Sequence, residues 1–191
     1  ALCSKRKIEL GYKLTSLANL PLSEKVDMYV FLIGGDQWQG GIDEIVKTNF
    51  DKLATDIGAN SVIVGALTED FHGQVVDKYL GQKCEELIES LPALLLTDTH
   101  PDNLSEDSMR LLLPLAKVQD VYPVVNNFLT DLASFARGES DSLLKALEQQ
   151  VNASDIANDV VKFNLPVIPG FVSVNLNSTV THLRTWWNTT R

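Results

Sequence analysis

The stretch that decides the fold is Val26-Asp27-Met28-Tyr29-Val30-Phe31-Leu32-Ile33, followed by the loop Gly34-Gly35-Asp36-Gln37-Trp38-Gln39-Gly40-Gly41. The first eight residues are nearly all apolar, which is typical of a strand buried on both faces of a sheet. Glycine pairs on both sides of a short polar segment indicate a turn between this strand and the next element. The sequence therefore predicts a buried strand that ends at a glycine-rich loop.

Helical and strand patterns alternate after this loop. Apolar residues recur at helical spacing from Ile42 to Ile57, and Gly58 then marks the predicted end of the helix. A second buried strand is predicted over residues 61–67, and a second helix over residues 76–88. Because the helix from Ile42 to Ile57 connects the first two buried strands, we expect these two strands to run parallel.

Two further strands are predicted at Pro92–Thr97 and Met109–Leu115. The linker between them is short and has no helical pattern, so the two strands are expected to pair antiparallel. Pro114 indicates an edge position, since proline donates no ladder hydrogen bond. Asp120 is predicted to cap a third helix that carries Pro123 in its first turn.

These elements divide the chain into three predicted parts. Residues 1–25 form an N-terminal strand or helix extension, residues 26–138 a domain of order β-α-β-α-β-β-α, and residues 139–191 a mostly helical appendage. Because the chain begins with Ala1 and not Met, we also consider that it is a piece of a larger multidomain protein. The Trp186-Trp187 pair near the end could dock on the chain itself or on a partner.

Residues 26–138 resemble a thioredoxin-like domain in the order and length of their elements. The motif Leu91-Pro92-Ala93-Leu94-Leu95-Leu96 resembles the segment in which that family places a cis proline at the start of a strand, facing the active-site loop. The resemblance implies an α/β fold, a three-layer sandwich with a cis Leu91–Pro92 peptide bond.

The chain departs from the family at the reactive motif. The family's redox reaction needs a Cys-x-x-Cys thiolate at a helix N-terminus, but the corresponding segment 36–41 contains no cysteine. The two cysteines of the chain are Cys3 and Cys84, neither of which is near that segment in sequence. We therefore expect a redox-inactive member without thiol–disulfide oxidoreductase activity, and we predict no cofactor and no metal.

The function we favour from the sequence is a non-catalytic module that binds protein or acts as a scaffold. In the family the proline faces the active-site loop, so the groove between the two is the predicted contact surface. Tryptophan is enriched among the residues that dominate binding energy at protein interfaces. The predicted binding residues are Gly35, Asp36, Gln37, Trp38, Gln39, Leu91 and Pro92.

The alternative function is an enzyme that binds an anionic small molecule at the glycine-rich loop. Backbone amides between a strand and a helix can hold an anion, and Asp98 and His100 could then act as acid–base residues. The segment 98–103 is also rich in the residue types that turns need. A turn with no catalytic role is therefore a competing interpretation.

Composition excludes several classes of partner. The chain has 191 residues, a net charge of −9 and 45% hydrophobic residues, as expected of a soluble globular protein. This acidity argues against nucleic-acid binding, which needs clustered Lys and Arg. No apolar stretch reaches the ~18 residues of a membrane span, so no membrane insertion is predicted. Protein partners remain, and a homodimer is one hypothesis.

The compartment is only weakly indicated. Two cysteines without a disulfide framework favour the cytoplasm. Asn-x-Ser/Thr triplets keep the secretory pathway open as an alternative. These triplets begin at Asn103, Asn152, Asn177 and Asn188.

Overall fold

The computed structural model describes residues 11–23, 25–34, 42–58, 60–81, 91–105, 108, 110–156, 184–185 and 187–189. The strands are β1 (Gly11–Leu14), β2 (Met28–Ile33), β3 (Ser61–Ala66), β4 (Ala93–Thr97) and β5 (Arg110–Pro114). The helices are α1 (Ile42–Thr48), α2 (Phe50–Asp56), α3 (Glu69–Leu80), α4 (Leu115–Val121), α5 (Val125–Ala136) and α6 (Ser142–Ile156).

The five strands form one mixed sheet in the order β1-β3-β2-β4-β5. Strands β1 and β2 both run parallel to β3, whereas the β2–β4 and β4–β5 pairs are antiparallel. The predicted parallel and antiparallel pairs are thus confirmed. Among the strands that the structure describes, β5, which ends at Pro114, is the last in the sheet, in agreement with the predicted edge position.

Strand β2 supplies side chains to two hydrophobic cores, one on each face of the sheet. Its six residues are all buried, as its continuous apolar sequence predicts. One core lies against α2, α4, α5 and α6, and the other lies against α3. The fold therefore has three layers, with helices on both faces of the sheet. The residues facing the first core are Met28, Val30 and Leu32, and those facing the second are Tyr29, Phe31 and Ile33.

The helix predicted from Ile42 to Ile57 is interrupted at Asn49. The backbone of Asn49 has φ −92° and ψ 13°, outside the helical range. Its side-chain amide donates to the Ile45 carbonyl at 2.8 Å, the same carbonyl that accepts the Asn49 backbone N–H. Asparagine side chains compete in this way with the backbone ladder, which accounts for the division into α1 and α2.

The predicted cap of the third helix is wrong. Asp120 lies inside α4, which begins directly after β5, and Pro123 lies between α4 and α5. Proline disfavours a helical conformation in the residue before it, and Tyr122 accordingly has ψ 89°. The chain therefore ends one helix before Pro123 and starts the next after it.

The described residues near the C-terminus pack on the rest of the chain. The helix predicted around Leu143 is confirmed as α6, and Leu143, Leu144 and Leu147 lie in the core beside α5. The Trp187 ring stacks on Phe135 with a centroid distance of 5.0 Å. The Arg184 guanidinium donates to the Glu148 carboxylate at 2.6 Å. Of the two alternatives for the tryptophan pair, Trp187 therefore docks on its own chain, while Trp186 lies outside the described residues.

We expect Trp187→Ala to lower the free energy of unfolding by about 2 kcal/mol, because the substitution removes a half-buried ring and its stacking contact with Phe135. Urea unfolding followed by circular dichroism measures this loss. Asn188→Ala is the matched control, since the neighbouring Asn188 is exposed and should change stability by no more than about 0.5 kcal/mol. Equal losses in the two variants would contradict the stacking contact.

Candidate functional site

The end of β2 and the start of β4 lie side by side. Ile33 pairs with Ala93, so Gly34 and Pro92 are at the same end of the sheet. The Pro92 carbonyl accepts a hydrogen bond from the Leu115 N–H at 2.9 Å, which fixes the start of α4 against β4. The Leu91–Pro92 peptide bond is cis, as the resemblance implies.

This end of the sheet presents apolar side chains to solvent. Because β3 runs parallel to β2, Leu67 directly after β3 lies at the same end as Gly34, and it is 61% exposed. Leu91 and Pro92 are half-buried, and Leu91 packs against the core shared with α3. We call Gly34, Leu67, Leu91 and Pro92 the Pro92 end. Exposed apolar groups beside a polar loop are what a protein-binding surface offers.

His72 belongs to this end of the sheet and was missed by the sequence analysis. Its Nδ1 accepts a hydrogen bond from the Gly34 N–H at 3.4 Å, so the first turns of α3 are tied to the start of the glycine-rich loop. His72 and Gly34 are far apart in sequence, and no motif joins them. The proximity of β2 and α3 could suggest such a contact only once the sheet topology is known.

The predicted loop residues lie outside the described part of the chain. Gly35, Asp36, Gln37, Trp38 and Gln39 follow Gly34 in sequence, but the structure does not describe them. Their predicted role in binding therefore stays a prediction. Leu91 and Pro92 are the two predicted binding residues whose positions are known.

Asp98 and His100 lie at the opposite end of the sheet. Thr97 pairs with Tyr29 near the start of β2, whereas Gly34 follows the end of β2. At about 3.3 Å per residue, roughly 20 Å of strand separates the two ends. Acid–base catalysis requires hydrogen-bonding distance, about 3 Å or one bridging water. Asp98 and His100 are therefore far from Gly34, the one residue of the glycine-rich loop that the structure describes.

The contacts of His100 are those of a structural residue. Its ring is buried, with Nε2 3.1 Å from the Leu20 carbonyl and Nδ1 accepting from the Asp102 N–H at 3.2 Å. The ring edge also contacts Tyr29 at a centroid distance of 5.9 Å. Both ring nitrogens are thus engaged with the backbone. His100 caps the short 3₁₀ turn at Pro101–Asn103 and holds it to the segment before β2.

Arg110 closes this opposite end of the sheet. It is buried, and its guanidinium donates to the carbonyls of Tyr79 at 3.2 Å and Ser105 at 2.6 Å. The Tyr79 carbonyl is in the last turn of α3, where carbonyls lack helical partners and a cation is favourable. The Tyr79 hydroxyl donates to the Thr99 carbonyl at 2.9 Å, and burial raises the pKa of Tyr79. These contacts join the β4–β5 connection to α3.

The described residues offer neither a metal cluster nor a membrane helix. No three His, Cys, Asp or Glu side chains among them are grouped so that they could hold a metal ion. None of the described helices combines the length and apolarity that crossing a membrane requires.

No family model, curated protein or solved structure matches this chain. Functional conclusions therefore depend on the sequence and geometry of the chain itself.

Proposed function

We propose that the chain is a redox-inactive, thioredoxin-like module that binds another protein at the Pro92 end. The order of elements from β2 to α5 supports this proposal, since it follows the β-α-β-α-β-β-α order on which the resemblance depends, with α1 and α2 in place of the first helix and α4 added before the last helix, α5. The position of Pro92 supports it too. Pro92 directly precedes β4 and lies next to the end of β2, and in the resembled family the corresponding proline faces the active-site loop.

The observation that carries the proposal is the composition of the loop after β2. In the resembled family the thiolate that exchanges with disulfides comes from this loop, and here residues 35–41 contain Trp38 and two polar glutamines but no cysteine. A site that has no nucleophile can still bind a segment of another protein. Leu67 and Leu91 add apolar surface beside the loop, so binding of a protein segment is the function that remains.

Site-specific photo-crosslinking tests this surface. The full chain carries p-benzoyl-phenylalanine in place of Gln39 and, in a second sample, in place of Leu22. Leu22 is a suitable control because it is 62% exposed and lies two residues after Leu20, whose carbonyl contacts His100 at the opposite end. We expect defined protein adducts from position 39 that are absent from position 22. Mass spectrometry of the adducts identifies the partner.

Two matched leucines then test the apolar contribution. Leu67→Ala and Leu22→Ala remove similarly exposed side chains from opposite ends of the sheet. With the identified partner, Leu67→Ala and Trp38→Ala should each weaken binding by about tenfold, as expected for central interface residues, while Leu22→Ala should leave it unchanged. Unchanged binding in both Trp38→Ala and Leu67→Ala would refute this surface.

Two further measurements address the alternatives. Turnover in a disulfide-reduction assay would contradict a redox-inactive module. Thermal stabilisation by phosphate, nucleotides or glutathione would favour the enzyme that binds an anion at the glycine-rich loop. The homodimer stays a hypothesis, which light scattering of the full chain during size-exclusion chromatography resolves.

A further inference from the structure

A cleft separates the end of α4 from the first two turns of α5. Its volume is about 540 Å³, within the range of about 300–1,000 Å³ that is usual for small-ligand sites. It has no residue in common with the Pro92 end. The lining residues are Val121, Tyr122, Pro123, Val124, Asn127, Thr130 and Asp131.

The polar part of the cleft is a carboxylate held by a tyrosine. The buried Tyr122 hydroxyl donates to Asp131 Oδ2 at 2.9 Å. Burial and this hydrogen bond raise the pKa of Tyr122, so the hydroxyl keeps its proton and remains a donor at neutral pH. Within the described part of the chain, no other donor bonds to the Asp131 carboxylate. A carboxylate has about four acceptor positions, which leaves Oδ1 with capacity for a ligand.

The cleft also has apolar lining residues. Val121, Pro123 and Val124 line it, and Val124 is 54% exposed. An apolar wall beside a carboxylate matches a side chain that has an aliphatic stem and a cationic head. The Asn127 side chain, in the first turn of α5, is a second polar group next to Asp131. A planar guanidinium can bond to two such groups at once.

The net charge of the chain also favours a cation. The whole chain carries a net charge of −9, which attracts basic partners over long range. The positive N-terminal end of α5 opposes a cation, but its effect falls off within the first turn. Asp131 is in the second turn of α5, so its full negative charge dominates at the cleft.

From these contacts we propose that the cleft binds an arginine side chain presented by an extended segment of a partner protein. The guanidinium pairs with Asp131, and the aliphatic stem packs on Val121, Pro123 and Val124. The open rim at Val124 lets a side chain enter while its backbone stays outside the cleft. This site is independent of the proposed function, since it uses neither the glycine-rich loop nor Pro92.

Calorimetric titration of the full chain with an acetylated and amidated Gly-Arg-Gly peptide tests this site. The same peptide with citrulline in place of arginine has nearly the same shape but no charge. Binding of the arginine peptide should be at least about tenfold tighter, because a hydrogen bond between two charged groups is about twice as strong as a neutral one. Butylguanidine alone tests whether the guanidinium and its aliphatic stem are sufficient for binding.

Asp131→Asn is the principal variant, because the amide oxygen can still accept the Tyr122 hydroxyl while the charge is lost. This substitution should weaken binding of the arginine peptide about tenfold. Asp70→Asn makes the same change in net charge at an exposed position on α3, across the sheet, and should have no effect. Val124→Arg, at an exposed position, should block the cleft while leaving the fold intact.

The outcomes separate cleanly. Tight arginine-peptide binding that Asp131→Asn and Val124→Arg both reduce supports the proposal. Equal affinity for the citrulline peptide, or no change in Asp131→Asn, overturns it. Butylguanidine carries the same stem and guanidinium, so it should bind about as tightly as the peptide. Failure of butylguanidine to bind, where the peptide binds, overturns the assignment of the cleft to the arginine side chain.

Discussion

Gly65→Val is expected to lower the free energy of unfolding by about 3 kcal/mol, the upper part of the range for overpacked cores. Gly65 is in β3, between β1 and β2, directly beneath the buried ring of Phe50 in α2. A Cβ atom at Gly65 would lie 2.9 Å from Phe50 Cε2, closer than real Cβ contacts. Valine adds two further methyl groups to this clash. Helix α2 would have to move away from the sheet.

A double-mutant cycle tests whether the ring is the cause. Phe50→Leu shortens the side chain above Gly65, so the double variant should be less destabilised than the sum of the two single variants. Urea unfolding of all four proteins gives the coupling. Gly73→Ala is the control: its Cβ would meet no atom within 4 Å, and alanine in a helix should stabilise by about 0.5–1 kcal/mol. Strict additivity would contradict the close approach of α2.

Arg110→Met should cost about 2–3 kcal/mol of unfolding free energy, because it removes hydrogen bonds from a charged donor and leaves backbone carbonyls without a partner. Methionine keeps much of the side-chain length but cannot donate to the carbonyls of Tyr79, Ser105 and Ser108. Those carbonyls would lose their hydrogen bonds to the guanidinium in buried or partly buried positions. The last turn of α3 would also lose its cation.

Arg110→Lys separates charge from geometry. Lysine keeps the positive charge but cannot reach several carbonyls in the way that a planar guanidinium does, so its loss should be intermediate. Chemical denaturation measures the total loss, and hydrogen exchange locates it. The first amides to exchange faster should be those of Ser105 and Ser108, whose carbonyls Arg110 holds. Equal stability of Arg110→Met and the original chain would contradict this role.

The sequence predicts the sheet well because the strands are continuous apolar runs. A segment such as Ser61–Ala66 is short, apolar and rich in β-branched residues, which favours a strand buried on both faces, and its helical neighbours are amphipathic. The sequence does less well at helix ends. Asp120 has the chemistry of a cap, but Pro123 decides where the chain can start a helix, and its effect on Tyr122 outweighs the cap.

The candidate sites are less predictable because their contacts join distant parts of the chain. The sequence allows His100 to be interpreted as an acid–base residue. In the structure, its ring nitrogens contact the Leu20 carbonyl and the Asp102 N–H. The Tyr122–Asp131 hydrogen bond crosses the break between two helices, whose angle no local pattern specifies. The predicted binding role of Trp38 stays a prediction, because Trp38 lies outside the described residues.

The pairing of β1 with β3 has a consequence for the order of folding. Leu96 of β4 pairs with Leu111 of β5, and only a short connection separates these two strands in the chain. Gly11 of β1 pairs with Ile63 of β3, and β2, α1 and α2 lie between these two strands in the chain. Closing the longer segment costs more entropy before any contact is gained. We therefore expect the β4–β5 hairpin to nucleate the sheet and the amino-terminal strand to attach last, and to be the first to detach.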